Sequence, residues 1–198
     1  MTVSARPRAG NLVDYVSNAE IAAAFGADIV MVDTFQPTDP YIPGWVSKNP
    51  EDDEETKDIQ IPMGRGYSLK EIRTLVGRPV ACMLLFHGNS NAASTVRHYG
   101  EILATPENAE KAIESGADMI AVGGWAPLDI VIKNIREIRK ITKGKAILEY
   151  FRPHGPGLIG QTGTELNPEG LISEDEIKIY LDLGVDVIGL AGPGTYPG

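Results

Sequence analysis

The chain has 198 residues, 42% of them hydrophobic and 23% charged, which provides for one real core and suits a single domain over residues 1–198. A formal charge of −9 excludes a nucleic-acid binder, which needs clustered Lys and Arg to displace phosphate counterions. One cysteine, Cys82, excludes an intrachain disulfide framework and a cysteine-based zinc site, and the lack of a signal-type apolar segment or a run of about 20 apolar residues leads us to expect a cytoplasmic protein without a membrane partner.

In chain order, residues 11–16 read as a first strand that passes through Ser17, an N-cap, into a helix. That helix opens a unit that occurs three times: an amphipathic helix, then Gly, a small residue and Asp, then a short β-branched run. Gly26, Gly116 and Gly184 fall where a helix takes a left-handed residue at its end, and Asp28, Asp118 and Asp186 open the following strands. After the second strand, residues 36–67 are rich in Pro and Gly, with Tyr41, Trp45 and the acidic run from Glu51 to Glu55. Loops of this length are commonly functional, and one that leaves a strand's C-terminal end could close over a site as a lid.

A helix after Ser68 then leads to a strand over 79–86, and a helix after Pro127 leads to a strand over 145–151. Helices alternate with nearly continuous apolar strands near residues 11, 28, 79, 118, 145 and 186, which means a parallel sheet covered by helices. The expected fold is α/β: a parallel (β/α) TIM-type barrel truncated after about six strands, a full barrel having eight strands and about 250 residues. An open doubly wound sheet is the alternative, and its dinucleotide-binding form lacks the G-x-G-x-x-G that it needs after the first strand.

In such folds the residues at strand C-terminal ends carry the chemistry. Asp33 and Glu149 each follow or interrupt an apolar run, where burial raises a carboxyl pKa and an unpaired charge is costly. They are candidates for acid and base, or for ligands of one Mg²⁺ through oxygen. His87 and His154 are placed to move a proton or polarise a carbonyl, and Arg152 to grip a carboxylate or phosphate. Gly123 and Gly124, with Gly192, Gly194 and Thr195, could bring backbone N–H groups to a small anionic metabolite. No Lys falls at a strand's C-terminal end, Lys145 being at the opposite one, so a Schiff-base aldolase is disfavoured. No organic cofactor is expected.

The segment from Ser17 to Asp33, with Leu75 to Val80, resembles phosphoenolpyruvate mutase and isocitrate lyase relatives, and more closely a mutase-like barrel family. A shorter likeness, over Asp33 to Pro40, is to tryptophan synthase α subunits. The first resemblance implies a TIM barrel and a phosphorylated or carboxylated substrate. Mutases and lyases of that superfamily hold Mg²⁺ on an Asp-x-Asp pair after the third strand and a Glu-Asp after the fourth, and here those places read 86–90 FHGNS and 122–125 VGGW. The function expected is a lyase or isomerase acting next to a carbonyl. A non-catalytic anion-binding or self-assembling barrel is the alternative, since exposed apolar strand edges favour a homo-oligomer.

Overall fold

The computed structural model describes residues 2–5, 13, 15–53, 62–87, 100–151 and 172–189. Six strands, β1 (Thr2–Ala5), β2 (Ile29–Val32), β3 (Val80–His87), β4 (Met119–Trp125), β5 (Ile147–Phe151) and β6 (Val187–Gly189), hydrogen-bond in sequential order. The α-helices among the described residues are α1 (Asn18–Ala24), α2 (Leu69–Val76), α3 (Pro106–Ser115), α4 (Leu128–Thr142) and α5 (Glu174–Asp182). The pairs β1 with β2, β2 with β3 and β5 with β6 are parallel. A doubly wound sheet reverses its strand order at a switch point. Here the order never reverses, so the fold is the (β/α) barrel type, carried through six strands.

The first strand departs from the sequence reading. It is Thr2–Ala5, paired from Thr2 opposite Ile29 to Ala5 opposite Val32. Val13 and Val16, expected within a strand, instead face each other in an isolated antiparallel bridge, with Tyr15 between them at φ 62°. A left-handed residue between bridge partners belongs to a tight turn rather than to extended strand.

By internal contacts the chain divides into two compact units, residues 1–83 with 111–119, and residues 84–110 with 120–198. In the first, Ala19 and Ala22 of α1 pack with Ala27 and Val30. Small side chains on that helix face let the backbone come close to the sheet. Leu69 and Ile72 bury the inner face of α2. In the second unit, Val131, Ile135 and Ile138 bury one stripe of α4, and Tyr180 of α5 stacks on Tyr150 of β5 at 3.9 Å between ring centroids. Three helices start with the same device: Ser17, Ser68 and Ser173 cap α1, α2 and α5, and Glu20, Glu71 and Glu176 reach back to the capping residue's N–H.

The repeated Gly-small-Asp segment has a structural reason. Gly26, Gly116 and Gly184 take φ of 86°, 105° and 87°, the left-handed conformation that ends each helix. At Asp118 and Asp186 the carboxylate ties down the preceding strand together with the helix that leads into that strand. Asp118 accepts from the N–H of Val80 at the start of β3 (2.9 Å) and pairs with Arg73 of α2. Asp186 accepts from the N–H of Leu148 in β5 (2.9 Å) and from both terminal nitrogens of Arg139 of α4. Asp28 holds the corresponding place before β2.

Hydrogen bonds to a charged group contribute roughly 1.5–3 kcal/mol each when enclosed, less when partly exposed as here. Asp186→Ala is expected to cost about 2 kcal/mol, or about 4–8 °C of Tm for a chain of this size. Asp186→Asn, which keeps an acceptor for Leu148, is expected to cost less. Thermal unfolding followed by circular dichroism measures both, and equal losses would show that the Arg139 pair, not the backbone bond, carries the effect.

Candidate functional site at the strand C-terminal ends

In the first unit β2 runs apolar from Ile29 to Val32 and ends at Asp33, which is buried (5% exposed). Thr34 follows at φ 59° and Phe35 is buried again. Two buried residues flank a β-branched residue held in the left-handed region, a conformation that costs roughly 1–3 kcal/mol. The Thr34 hydroxyl is buried and has no hydrogen-bond partner among the described residues. Sequence reasoning passed over Thr34, because a strained backbone leaves no mark in composition or periodicity. Cys82, paired in register with Val32, is fully enclosed, and burial together with the charge of Asp33 pushes its thiol up to about 12.

The long segment after β2 is a hydrogen-bonded substructure over its described parts. Ile42 N–H donates to Gly64 O, Gly66 N–H to Pro40 O and Lys48 N–H to Arg65 O, so its two arms pair side by side. Asp53 accepts from the hydroxyl and N–H of Ser47 and from the N–H of Met63. Burial alone would raise that carboxyl, and these bonds outweigh it and hold it below its usual range. Two side chains anchor the segment to helix starts: Trp45 Nε1 donates to Glu20 Oε2 at 2.6 Å, and Lys48 pairs with Glu71. The Lys48 ammonium, with the capping bonds from Ser68, draws the Glu71 carboxyl down to about 2. Both anchors are glutamates of capping boxes. A polar cavity of about 450 Å³ lies within the segment, and on its wall Asp39 is paired with Arg65.

In the second unit Glu149 is buried in the middle of β5 (4% exposed). Side chains alternate along a strand, and Tyr150 faces α5, so Glu149 points to the opposite face of the sheet. Its Oε2 is buried without a hydrogen-bond partner among the described residues. Burial pushes its carboxyl up from the usual range. Gly189 of β6 makes the room, since a Cβ there would collide with Oε1 of Glu149 and lie 3.0 Å from the Phe151 ring. Gly189 is a second residue the sequence reading missed, as its neighbour across the sheet is set by register.

Gly123 and Gly124 stand inside β4, and each is held to glycine by a neighbour: a Cβ at Gly123 would collide with the Phe151 carbonyl, and one at Gly124 with the Phe86 carbonyl. His87 closes β3, and only its backbone is described. Arg152, His154, Gly192, Gly194 and Thr195 lie outside the described residues. The structure thus groups Glu149 with Gly189 and Phe151 in one unit, and Asp33 with Thr34 and Cys82 in the other. No three His, Cys, Asp or Glu side chains converge as a metal-binding group among the described residues. Nor is any described helix long and apolar enough to cross a membrane.

An enclosed thiol titrating near 12 carries almost no thiolate at neutral pH. Cys82 is therefore expected to resist a thiol-reactive dye in the native protein and to react fully in denaturant. Rapid labelling without denaturant would show that the strand pair around it opens.

Solved structures with the same fold include a variant of the carboxyl transferase domain of Rhizobium etli pyruvate carboxylase, crystallised with pyruvate, at 13% identity and TM-score 0.51, covering 94% of this chain and 26% of that one. The complete multifunctional pyruvate carboxylase of Rhizobium etli matches at 15% identity and TM-score 0.50, over 94% of this chain and 14% of that one. A 2,3-dimethylmalate lyase of the PEP mutase/isocitrate lyase superfamily matches at 12% identity and TM-score 0.44, over 94% of this chain and 56% of that one. The chain thus spans little more than half, or less, of the structures it resembles, and at these identities the likeness speaks to the fold alone. No curated protein matches the sequence. The profile of the domain of unknown function DUF7916 matches residues 1–198, and the chain belongs to that family.

Proposed function

We propose that this protein is a cytoplasmic lyase or isomerase acting next to a carbonyl of a small phosphorylated or carboxylated metabolite, with Glu149 giving and taking the proton. The buried Glu149 carboxyl, with one oxygen unmatched among the described residues and its pKa raised by burial, carries the reading. A carboxyl whose pKa burial raises holds its proton more readily than an exposed one, and when protonated it can donate a hydrogen bond to a carbonyl oxygen or deliver its proton to the carbon beside it. Asp33, buried at the end of β2, is a second candidate carboxyl. Arg152, Gly123, Gly124 and the segment Gly192 to Thr195 would hold the anionic group, and His87 or His154 would steady an enolate-like intermediate. Ile147 and Val187 are exposed (43% and 37%), apolar side chains that support self-association.

The raised pKa of Glu149 has a thermodynamic consequence of definite sign. The folded state holds this proton more tightly than the unfolded chain, whose group titrates near 4.5. Stability is unpenalised below that value and falls as pH rises from it through the higher folded-state pKa. Glu149→Gln removes the ionisation, so the variant is expected to melt above the parent at about pH 8 and to lose that advantage at about pH 4. Equal melting at both would show that the carboxyl is not held protonated.

The function itself is tested by a thermal-shift screen against small phosphorylated and carboxylated metabolites, with and without Mg²⁺, followed by turnover assays on each stabilising compound. Glu149→Gln is expected to retain binding while turnover falls by about 10²–10⁴, and Asp33→Asn to weaken both. Stabilisation without turnover, unaffected by either substitution, would replace the enzyme with an anion-binding protein. A response that needs Mg²⁺ would place a metal in the site.

A further inference from the structure

We propose that Gly189 and Phe151 are positioning residues for Glu149: the bare Cα of one and the ring of the other form the slot that fixes where its carboxyl stands. This rests on Glu149 being the group that moves the proton, and it adds what holds that group in place. All three residues belong to the second compact unit.

The first support is a glycine that its own backbone does not call for. Gly26, Gly116 and Gly184 stand at positive φ, whereas Gly189 lies in strand β6, opposite Phe151 in register, and is not one of the left-handed residues. A strand position favours a β-branched or aromatic side chain, and Gly there gives up stability. What requires it is a neighbour: a Cβ at Gly189 would collide with Oε1 of Glu149. The space that a side chain would fill is taken by the carboxyl.

The second support is the ring. Glu149 and Phe151 are two residues apart in β5, so both side chains stand on the same face of the sheet. Cδ2 of Phe151 lies 3.0 Å from the place of a Cβ at Gly189, and Cδ1 lies 3.5 Å from the place of a Cβ at Gly123 in β4. Missing side chains on both flanking strands leave the ring its room, and at Gly189 the ring edge and the carboxyl oxygen border the same point.

What the slot does follows from the groups around it. The flanking strands read MIAVGGW (β4) and VIG (β6), with no titratable side chain, and Tyr150 of β5 itself faces α5. Nothing on these strands offsets a charge on Glu149, and burial is what raises its carboxyl. A carboxyl pushed out of the slot, or reached by water where the ring is gone, ionises more readily and no longer presents its proton from one place.

The test is a set of melting curves at about pH 4 and about pH 8, taken on the parent, Gly189→Ala and Phe151→Leu, each beside its own Glu149→Gln counterpart. The advantage that the counterpart gains at the higher pH measures how firmly the fold holds the Glu149 proton. That advantage is expected to shrink to about half or less in both variants. A substitution that merely loosens packing lowers both members of a pair alike and leaves the advantage unchanged. Both variants are expected to fold, since Gly189→Ala displaces the far end of a flexible side chain and Phe151→Leu keeps apolar bulk. On any compound that the protein turns over, Gly189→Ala is expected to lower kcat by about 10²-fold with KM little changed. An advantage as large in either variant as in the parent overturns the proposal for that residue, as does a kcat that Gly189→Ala leaves unchanged. If the advantage shrinks and no compound is turned over, the slot stands and the enzyme reading fails. If the parent shows no advantage at all, both fail.

Discussion

A carboxylate that bonds the backbone N–H of one strand while standing at the foot of the next is the constraint on which this fold depends. Asp118 and Asp186 do this for β3 and β5, and each recruits an Arg from the helix leading into the strand it ties. A helix, the strand that follows it and the foot of the next strand are thereby joined by one side chain. Parallel strands have no hairpin to set their register, so something else must hold each strand at its height along the sheet. The Asp is short and directional, and its bond to a single N–H leaves little freedom for a slip by one residue, which would turn buried side chains to the opposite face.

Much of this was legible in the sequence. The three Gly-small-Asp repeats gave the helix ends and strand starts, because a left-handed residue and an apolar run of fixed length are both written in composition. The order of elements and the number of strands follow from the same rhythm. The first strand was misplaced because Val13 to Val16 is apolar enough to pass for a strand, and the left-handed Tyr15 that turns it is visible only in the backbone. Asp33 and Glu149 stood out as carboxyls at apolar runs, and the structure finds both buried. Thr34 and Gly189 did not stand out. One matters through a dihedral angle and the other through a neighbour 40 residues away across the sheet, Glu149, and neither quantity is local in sequence.

The two ends of the strands are built to different standards. At their starts, donors and acceptors are matched and charges are paired. Past the end of β2 stands the Thr34 hydroxyl, and within β5 the Glu149 Oε2, both buried without a hydrogen-bond partner among the described residues, and Thr34 adds a left-handed backbone. Stability given up at such positions is the usual companion of a site that must interact with something other than the protein itself.

The sharing of capping glutamates between helices and the long segment bears on how the chain reaches its native state. Trp45 meets Glu20 across 25 residues and Lys48 meets Glu71 across 23, so the segment is tethered once on each side at nearly equal loop lengths. Neither glutamate is in place until its helix has nucleated, because each sits at the third position of a first turn. In the native state the docked segment and the two first turns thus hold one another in place. Fraying at either helix start loosens the segment, and through it the other start, which makes two helix ends and the loop between them a single cooperative unit of opening.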